Sequence, residues 1–262
     1  MKLVSGAILS VSLLAGFLAA VPARAEDAPA PAAAPAACEV PDYLLSGDNA
    51  LPKVAEAIKA GAALNILVVG SRSSTINVGA NASEVAAYPG QMQAALKAKL
   101  PSNEVNVSVE IQAKKTAEEV ASGLSKLVEA KKPTLVIWQT GTVAAMRSID
   151  PDDFRTAVDE GVVALRDAGT DVILLNPQYS PRTESMISAS PYLDNMRVVA
   201  QDHEVPLFDR FGLMKTWSES GDFDLFTAVH GAELAKRVHN CLGRALSEFI
   251  MAAAHPKPAQ EN

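Results

Sequence analysis

Five short runs of β-branched and aliphatic residues, separated by polar breaks and amphipathic stretches, govern what this chain can fold into. They are NILVVG (65–70), VNVSVEIQ (105–112), TLVIWQ (134–139), DVILLN (171–176) and VPLFDR (205–210). Three are nearly continuous in Val, Ile and Leu, the pattern of parallel strands buried on both faces. Helical periodicity marks the intervening YPGQMQAALKAKL (88–100), TAEEVASGLSKLVEA (116–130), DPDDFRTAVDEGVVALRDAG (150–169) and YLDNMRVVAQDH (192–203), and a last stretch at AELAKRVHNCLGRALSEFI (232–250). Asp150-Pro151 puts proline at a first helical position, and Gly169 closes the same helix. Such alternation predicts an α/β fold: a doubly wound, mainly parallel five-stranded sheet with helices on both faces.

The ends of the chain read differently. Lys2, the apolar core LVSGAILSVSLLAGFLAAV and the small-x-small ending Ala23-Arg24-Ala25 predict a signal peptide over residues 1–25. A retained anchor needs about 20 apolar residues, a length this stretch just reaches, but the Ala-Arg-Ala ending favours cleavage. The Ala/Pro-rich segment 26–37 cannot build a core and reads as an extended linker. Residues 38–253 then form one domain, with a disordered tail over 254–262. The expected location is periplasmic or secreted, with no transmembrane segment left after cleavage.

That location bears on the two cysteines. Cys38 and Cys241 are expected to pair in an oxidising compartment, closing a loop for which chain-entropy arguments give about 5 kcal/mol. They lie too far apart for a zinc motif, and no two of the four histidines have metal-ligand spacing, so no metal is expected. GSRSST lacks the Lys-Ser/Thr ending of a phosphate loop, and no cofactor is expected. The formal net charge is −7, and loss of Lys2 and Arg24 takes it to −9. An acidic chain with no basic stripe is a poor nucleic-acid partner.

Ligands of open parallel sheets bind beyond the carboxyl ends of the strands. Five polar clusters leave those ends: 70–75 (GSRSST), 112–116 (QAKKT), 139–142 (QTGT), 176–179 (NPQY) and Asp209-Arg210. Their shared position predicts one site.

The order of ILVVGSRSST on the first strand, LVIWQTGT on the middle strand and FDLFTAVH before the last helix resembles the SGNH, or GDSL-like, hydrolases. The resemblance spans roughly residues 64–250 and implies a Ser-His-Asp site on the predicted fold. In the first block, Gly70 to Thr75 holds one residue too many. Aligning back from Thr75 puts Ser73 at the nucleophile, with Ser74 as the alternative. The resemblance implies His230 as general base and Asp224 as its carboxylate partner, although Thr227 stands three residues before His230 where the family has aspartate. His239 falls within the last helix, where packing or local capping is the expected role.

The second family block implies a backbone oxyanion donor at or beside Lys114. The third block, Gly-x-Asn-Asp in the family, reads Gly141-Thr142-Val143-Ala144 here and lacks the asparagine donor. Losing one such donor costs about 100- to 1,000-fold in turnover. Thr142 and Asn176 are among the nearby replacements, and Tyr179 and Arg182 in NPQYSPRTESM are candidates to hold a polar substrate such as a sugar. The leading expectation is an exported, monomeric esterase or acyl-hydrolase using a serine nucleophile on a small-molecule or carbohydrate ester. The alternative is a relative that kept the pocket to bind a ligand and lost turnover.

Overall fold

The computed structural model of the chain describes residues 38–45, 49–78, 81–83, 86–226 and 231–255. The expected signal peptide (1–25), linker (26–37), most of the tail, Thr227 and His230 lie outside the described residues.

In chain order the elements are α1 (Asp42–Leu45), α2 (Pro52–Lys59), β1 (Leu64–Gly70), a 3-10 turn (Arg72–Ser74), β2 (Ile76–Val78), β3 (Asn81–Ser83), α3 (Tyr88–Lys99), β4 (Val105–Ile111), α4 (Ala117–Lys131), β5 (Leu135–Gln139), α5 (Thr142–Arg147), α6 (Pro151–Asp167), β6 (Asp171–Leu175), α7 (Pro181–Glu184), α8 (Ser190–Asp202), β7 (Leu207–Phe208), α9 (Arg210–Glu219) and α10 (Gly231–Ala254). The main sheet is five-stranded and parallel, in the order β4-β1-β5-β6-β7. Its three inner strands are the three most continuous apolar runs of the sequence. β5 and β6 are buried at every position, and β1 at all but Asn65. Edge strand β4 alternates apolar and polar residues and is only partly buried, because one of its sides has no neighbouring strand.

Two apolar layers enclose the sheet. On one face Leu67, Val69, Val136, Trp138, Val172 and Leu174 pack with α4, α6 and α8. On the other, Ile66, Val68, Leu135, Ile137, Ile173 and Leu175 pack with α2, α3, α9 and α10. Two contacts depend on glycine. A Cβ at Gly161 would lie 2.3 Å from the Trp138 ring, and one at Gly243 would lie 2.7 Å from the Met92 backbone nitrogen, so Gly161 lets α6 close on the sheet and Gly243 lets α10 close on α3.

Asp150 caps α6 through the N–H of Asp152, with Pro151 at the first helical position, and Gly169 follows in the left-handed region as expected. Cys38 and Cys241 form a disulfide with Cα atoms 5.1 Å apart. Trp217 Nε1 also donates to the Glu39 carbonyl at 2.8 Å, so the segment entering the domain is fastened to both α10 and α9.

Three features depart from the expected pattern. The run at 205–210 pairs only through Leu207–Phe208. Asp209 then caps the next helix through the Gly212 N–H, and Arg210 becomes that helix's first residue rather than a strand end. The short helix α5 and the antiparallel pair β2-β3 are additional, one after β5 and the other after the 3-10 turn.

Candidate active site

Along the sheet, strand order reverses between β1 and its neighbour β5, and the crevice beyond the carboxyl ends at such a switch is where this architecture accepts ligands. The residues leaving β1 and β5 meet there. Gly70, Ser71, Gln112, Lys115 and Gln139 line a small cleft together with Gly141, Thr142 and Val143.

Ser71 lines this cleft, and the turn after β1 determines which of the next two serines stays accessible beside it. Ser71 caps that turn, and Arg72–Ser74 wind as a 3-10 turn, in which successive side chains point about 120° apart. Ser74 therefore faces inward. It is 1% exposed, and its hydroxyl donates to Gln139 Oε1 at 2.5 Å and lies 3.0 Å from the Tyr88 hydroxyl. Ser73 stays partly exposed, with Oγ 3.1 Å from Ser71 Oγ. A Cβ at Gly70 would lie 2.2 Å from Ser74 Oγ, so this tight turn requires glycine at the strand end.

Gln139 sits at the centre of the network. Its Oε1 accepts from Ser74 and Tyr88, while its Nε2 donates to Ser71 Oγ at 3.0 Å and to Ser73 Oγ at 2.7 Å. All four hydrogen-bonding capacities of the amide are used, which fixes its orientation. Ser73 Oγ accepts a second bond, from Arg210 Nη1 at 3.2 Å. With two donors on this oxygen, the hydroxyl proton of Ser73 is left to point elsewhere, toward Ser71 Oγ or a base.

Behind these groups Tyr88, Arg210 and His239 are buried. Burial raises the Tyr88 phenol above its ordinary value, opposed by the nearby Arg210 charge. Burial, and then the Arg210 charge, pull the His239 imidazole down to about 3, so it is neutral at ordinary pH. His239 caps α3, the expected type of local role, by accepting the Tyr88 backbone N–H.

The other expected site residues fall into two groups. Gly141 and Thr142 line the cleft, and Thr142 Oγ1 is buried with no hydrogen-bond partner. Asn176 is fully buried and spent inside the fold: Nδ2 donates to Asp209 Oδ1 at 2.6 Å and Oδ1 accepts the Phe211 N–H at 2.8 Å. Tyr179 is buried, with its ring edge-on against Phe211. Arg182 is exposed on α7. Lys114 is exposed with φ of +63°, and it is Lys115 and Gln112 that border the cleft. Asp224 is exposed on the turn after α9, where Oδ1 accepts the Phe226 N–H at 3.1 Å. His230 lies outside the described residues.

Gln139 and Arg210 stand at the edge the sequence predicts, Gln139 there as a candidate oxyanion donor, but their bonds to Ser73 have no signature in the sequence. Their available signal was position alone, each being the last residue of a strand-like run.

Comparison with known proteins gives a consistent picture. A model of the non-GDSL lipase-like family matches residues 37–256. No curated protein matches the chain by sequence. Among solved structures, a two-domain esterase active on acetylated mannans superposes with a TM-score of 0.63 at 13% identity, covering 82% of this chain and 56% of that one. A catalytic mutant of the acetylxylan esterase Axe2 from Geobacillus stearothermophilus gives 0.57 at 16% identity, covering 72% and 95%. The psychrotrophic esterase EstA from Pseudoalteromonas sp. gives 0.54 at 16%, covering 71% and 96%. At these identities the likeness is one of fold.

Proposed function

We propose that this chain, which belongs to the non-GDSL lipase-like family, is an exported ester hydrolase that acts through Ser73 on O-acylated carbohydrate. The observation that carries the reading is the state of Ser73 Oγ. It is a partly exposed hydroxyl at the switch point, held as an acceptor by both Gln139 and Arg210 so that its proton is left for Ser71 or a base. Ser74 makes a poor nucleophile because it is sealed beneath the turn and committed to Gln139.

In this mechanism His230, oriented by Asp224, removes the Ser73 proton as the oxygen attacks the ester carbonyl, and returns it to the departing alcohol. The asparagine donor expected of an SGNH-like site is absent at Val143, and Thr142 Oγ1 takes its place. A buried hydroxyl in the lining of the cleft with no partner is an unsatisfied donor ready for an oxyanion. A sugar ester as substrate is supported by the fold neighbours active on acetylated mannans and xylan, and by the polar side chains of Ser71, Gln112, Lys115 and Gln139 at the cleft. Export is supported by the leader-like N-terminal sequence and by the disulfide.

A second reading, ligand binding without turnover, draws on the loss of asparagine at Val143. Hydrolysis of p-nitrophenyl acetate and of acetylated xylo-oligosaccharide by the purified protein separates the two. Turnover that disappears in Ser73→Ala and persists in folded Ser74→Ala supports the hydrolase. Equal rates in wild type, Ser73→Ala and His230→Ala would leave the binding protein.

A further inference from the structure

Arg210 is 1% exposed, yet among the described residues no carboxylate lies within ion-pair distance of it. The neighbouring Asp209 is turned away, with Oδ1 taking Asn176 and the Gly212 N–H and Oδ2 lying 3.5 Å from Arg197. The guanidinium instead meets neutral oxygens. Nη1 donates to Ser73 Oγ at 3.2 Å, and Nη2 donates to the Ser73 carbonyl at 3.2 Å and to Gln178 Oε1 at 3.1 Å. Its Nε is buried without a partner, and its carbon lies 5.4 Å from the Tyr88 ring centre.

Burying a cation without a counter-charge is unfavourable, and bridging two carbonyl oxygens and a hydroxyl does not require one. Burial lowers its pKa only to about 10, so it remains charged at neutral pH. The titratable groups facing it, Tyr88 on α3 and His239 on α10, both stay neutral there and supply no anion. The charge is unspent in the resting protein, and one of its N–H groups is aimed at Ser73 Oγ.

We propose that Arg210 is a further catalytic residue, supplying the positive charge that stabilises Ser73 Oγ whenever that oxygen becomes anionic. This rests on the ester-hydrolase reading. In acylation the base takes the Oγ proton, and the O–H bonding pair becomes a third lone pair. Two lone pairs remain with the Gln139 and Arg210 donors, and the third forms the bond to the carbonyl carbon while the carbonyl π pair moves onto its oxygen. That pair then returns to re-form the carbonyl as the bond from the carbon to the alcohol oxygen breaks, and the base gives its proton to the departing alcohol, leaving the acyl group on Oγ. In deacylation the base takes a proton from water, the resulting hydroxyl adds to the acyl carbon, and the carbon–Oγ bond breaks with its pair going to Oγ. The base then returns the proton. At both points negative charge gathers on the atom that Arg210 Nη1 touches, in surroundings where a fixed charge acts more strongly than in water.

The test compares wild type with Ser73→Ala, Arg210→Lys, Arg210→Met and Gln178→Glu. It reads kcat/KM against pH, the rate of labelling by a neutral phosphonate ester, and Tm. Arg210→Met is expected to lose about 100-fold in both rates, the scale of one charge-stabilising donor, with Arg210→Lys recovering part of it. The Met variant should keep gaining rate with pH where the wild type is level, because hydroxide must then ionise the serine. Gln178→Glu places a carboxylate on Nη2 and neutralises the guanidinium without removing it. It is expected to slow both rates by about 10-fold or more while Tm holds or rises, and it decides the question even if Arg210→Met fails to fold. Wild-type rates and pH profile in folded Gln178→Glu, with Ser73→Ala inactive, would overturn the role of Arg210 and leave the hydrolase standing. Wild-type turnover in Ser73→Ala would overturn the hydrolase itself.

Discussion

The backbone N–H of Tyr88 donates to His239 Nδ1 at 3.0 Å, so a side chain of the last helix caps the first turn of α3. The helix needs this partner, since Ala87 at its own cap position has no side-chain hydrogen bond to offer. The cap works only with a neutral imidazole, whose folded-state pKa of about 3 lies below the ordinary value near 6.5. The unfolded chain therefore binds this proton more readily than the folded one. The stability contributed by neutral His239 is complete above about pH 6.5 and is lost as pH falls toward 3. At pH 7, His239→Ala is expected to cost at least the ~1 kcal/mol of a lost cap, and urea unfolding should show the gap from wild type closing between pH 6.5 and 4. A gap independent of pH would contradict the assignment.

Gly161→Ala is expected to lower stability by about 1–3 kcal/mol, the usual cost of forcing an extra carbon into a packed core. The added Cβ would meet the Trp138 ring at 2.3 Å, with Leu124 at 3.2 Å behind it, so little room exists for relaxation. Thermal denaturation monitored by tryptophan fluorescence checks this, and an unchanged Tm would mean that α6 can shift outward.

Opening the Cys38–Cys241 bridge releases a sequence separation of 203 residues in the unfolded chain. Chain-entropy arguments give an upper estimate of about 5 kcal/mol for a loop of this size. Urea midpoints with and without reductant should differ accordingly, and the Cys38→Ser/Cys241→Ser double variant should match the reduced protein. Two titratable thiols in the unreduced native protein would contradict the bridge.

Thr142→Val removes the unpartnered hydroxyl at nearly constant volume. If that hydroxyl holds the oxyanion, kcat should fall by about 100-fold, with KM little changed. Val143→Asn should raise kcat in the Thr142→Val background more than in wild type, since the two donors would serve the same oxygen. A Thr142→Val enzyme as fast as wild type would move the oxyanion donor elsewhere.

Much of the architecture is legible in particular stretches of sequence. Strands β1, β5 and β6 read clearly because a parallel strand covered on both faces is apolar through its middle, with polar residues only toward its ends. The caps of α6 read clearly because Asp150, Pro151 and Gly169 act within a turn of the chain. VPLFDR misleads at its end, since strand and helix start share the same apolar residues and only the Asp209 side chain, folding back to Gly212, separates them. α5 is six residues long, too short to show a helical period.

By itself the sequence determined the α/β class, the covered inner strands and the edge at which polar groups gather, because each follows from local periodicity and burial. Tertiary structure alone decided which hydroxyl faces outward and what surrounds it. Ser73 and Ser74 are chemically alike and adjacent, and one residue of turn geometry leaves one partly exposed and buries the other. Gln139, Tyr88 and Arg210 come from β5, α3 and α9, and no local pattern relates them. They meet because the parallel sheet carries the ends of β1 and β5 to one switch point, where the resulting burial fixes an amide's orientation and leaves an arginine with no carboxylate partner among the described residues.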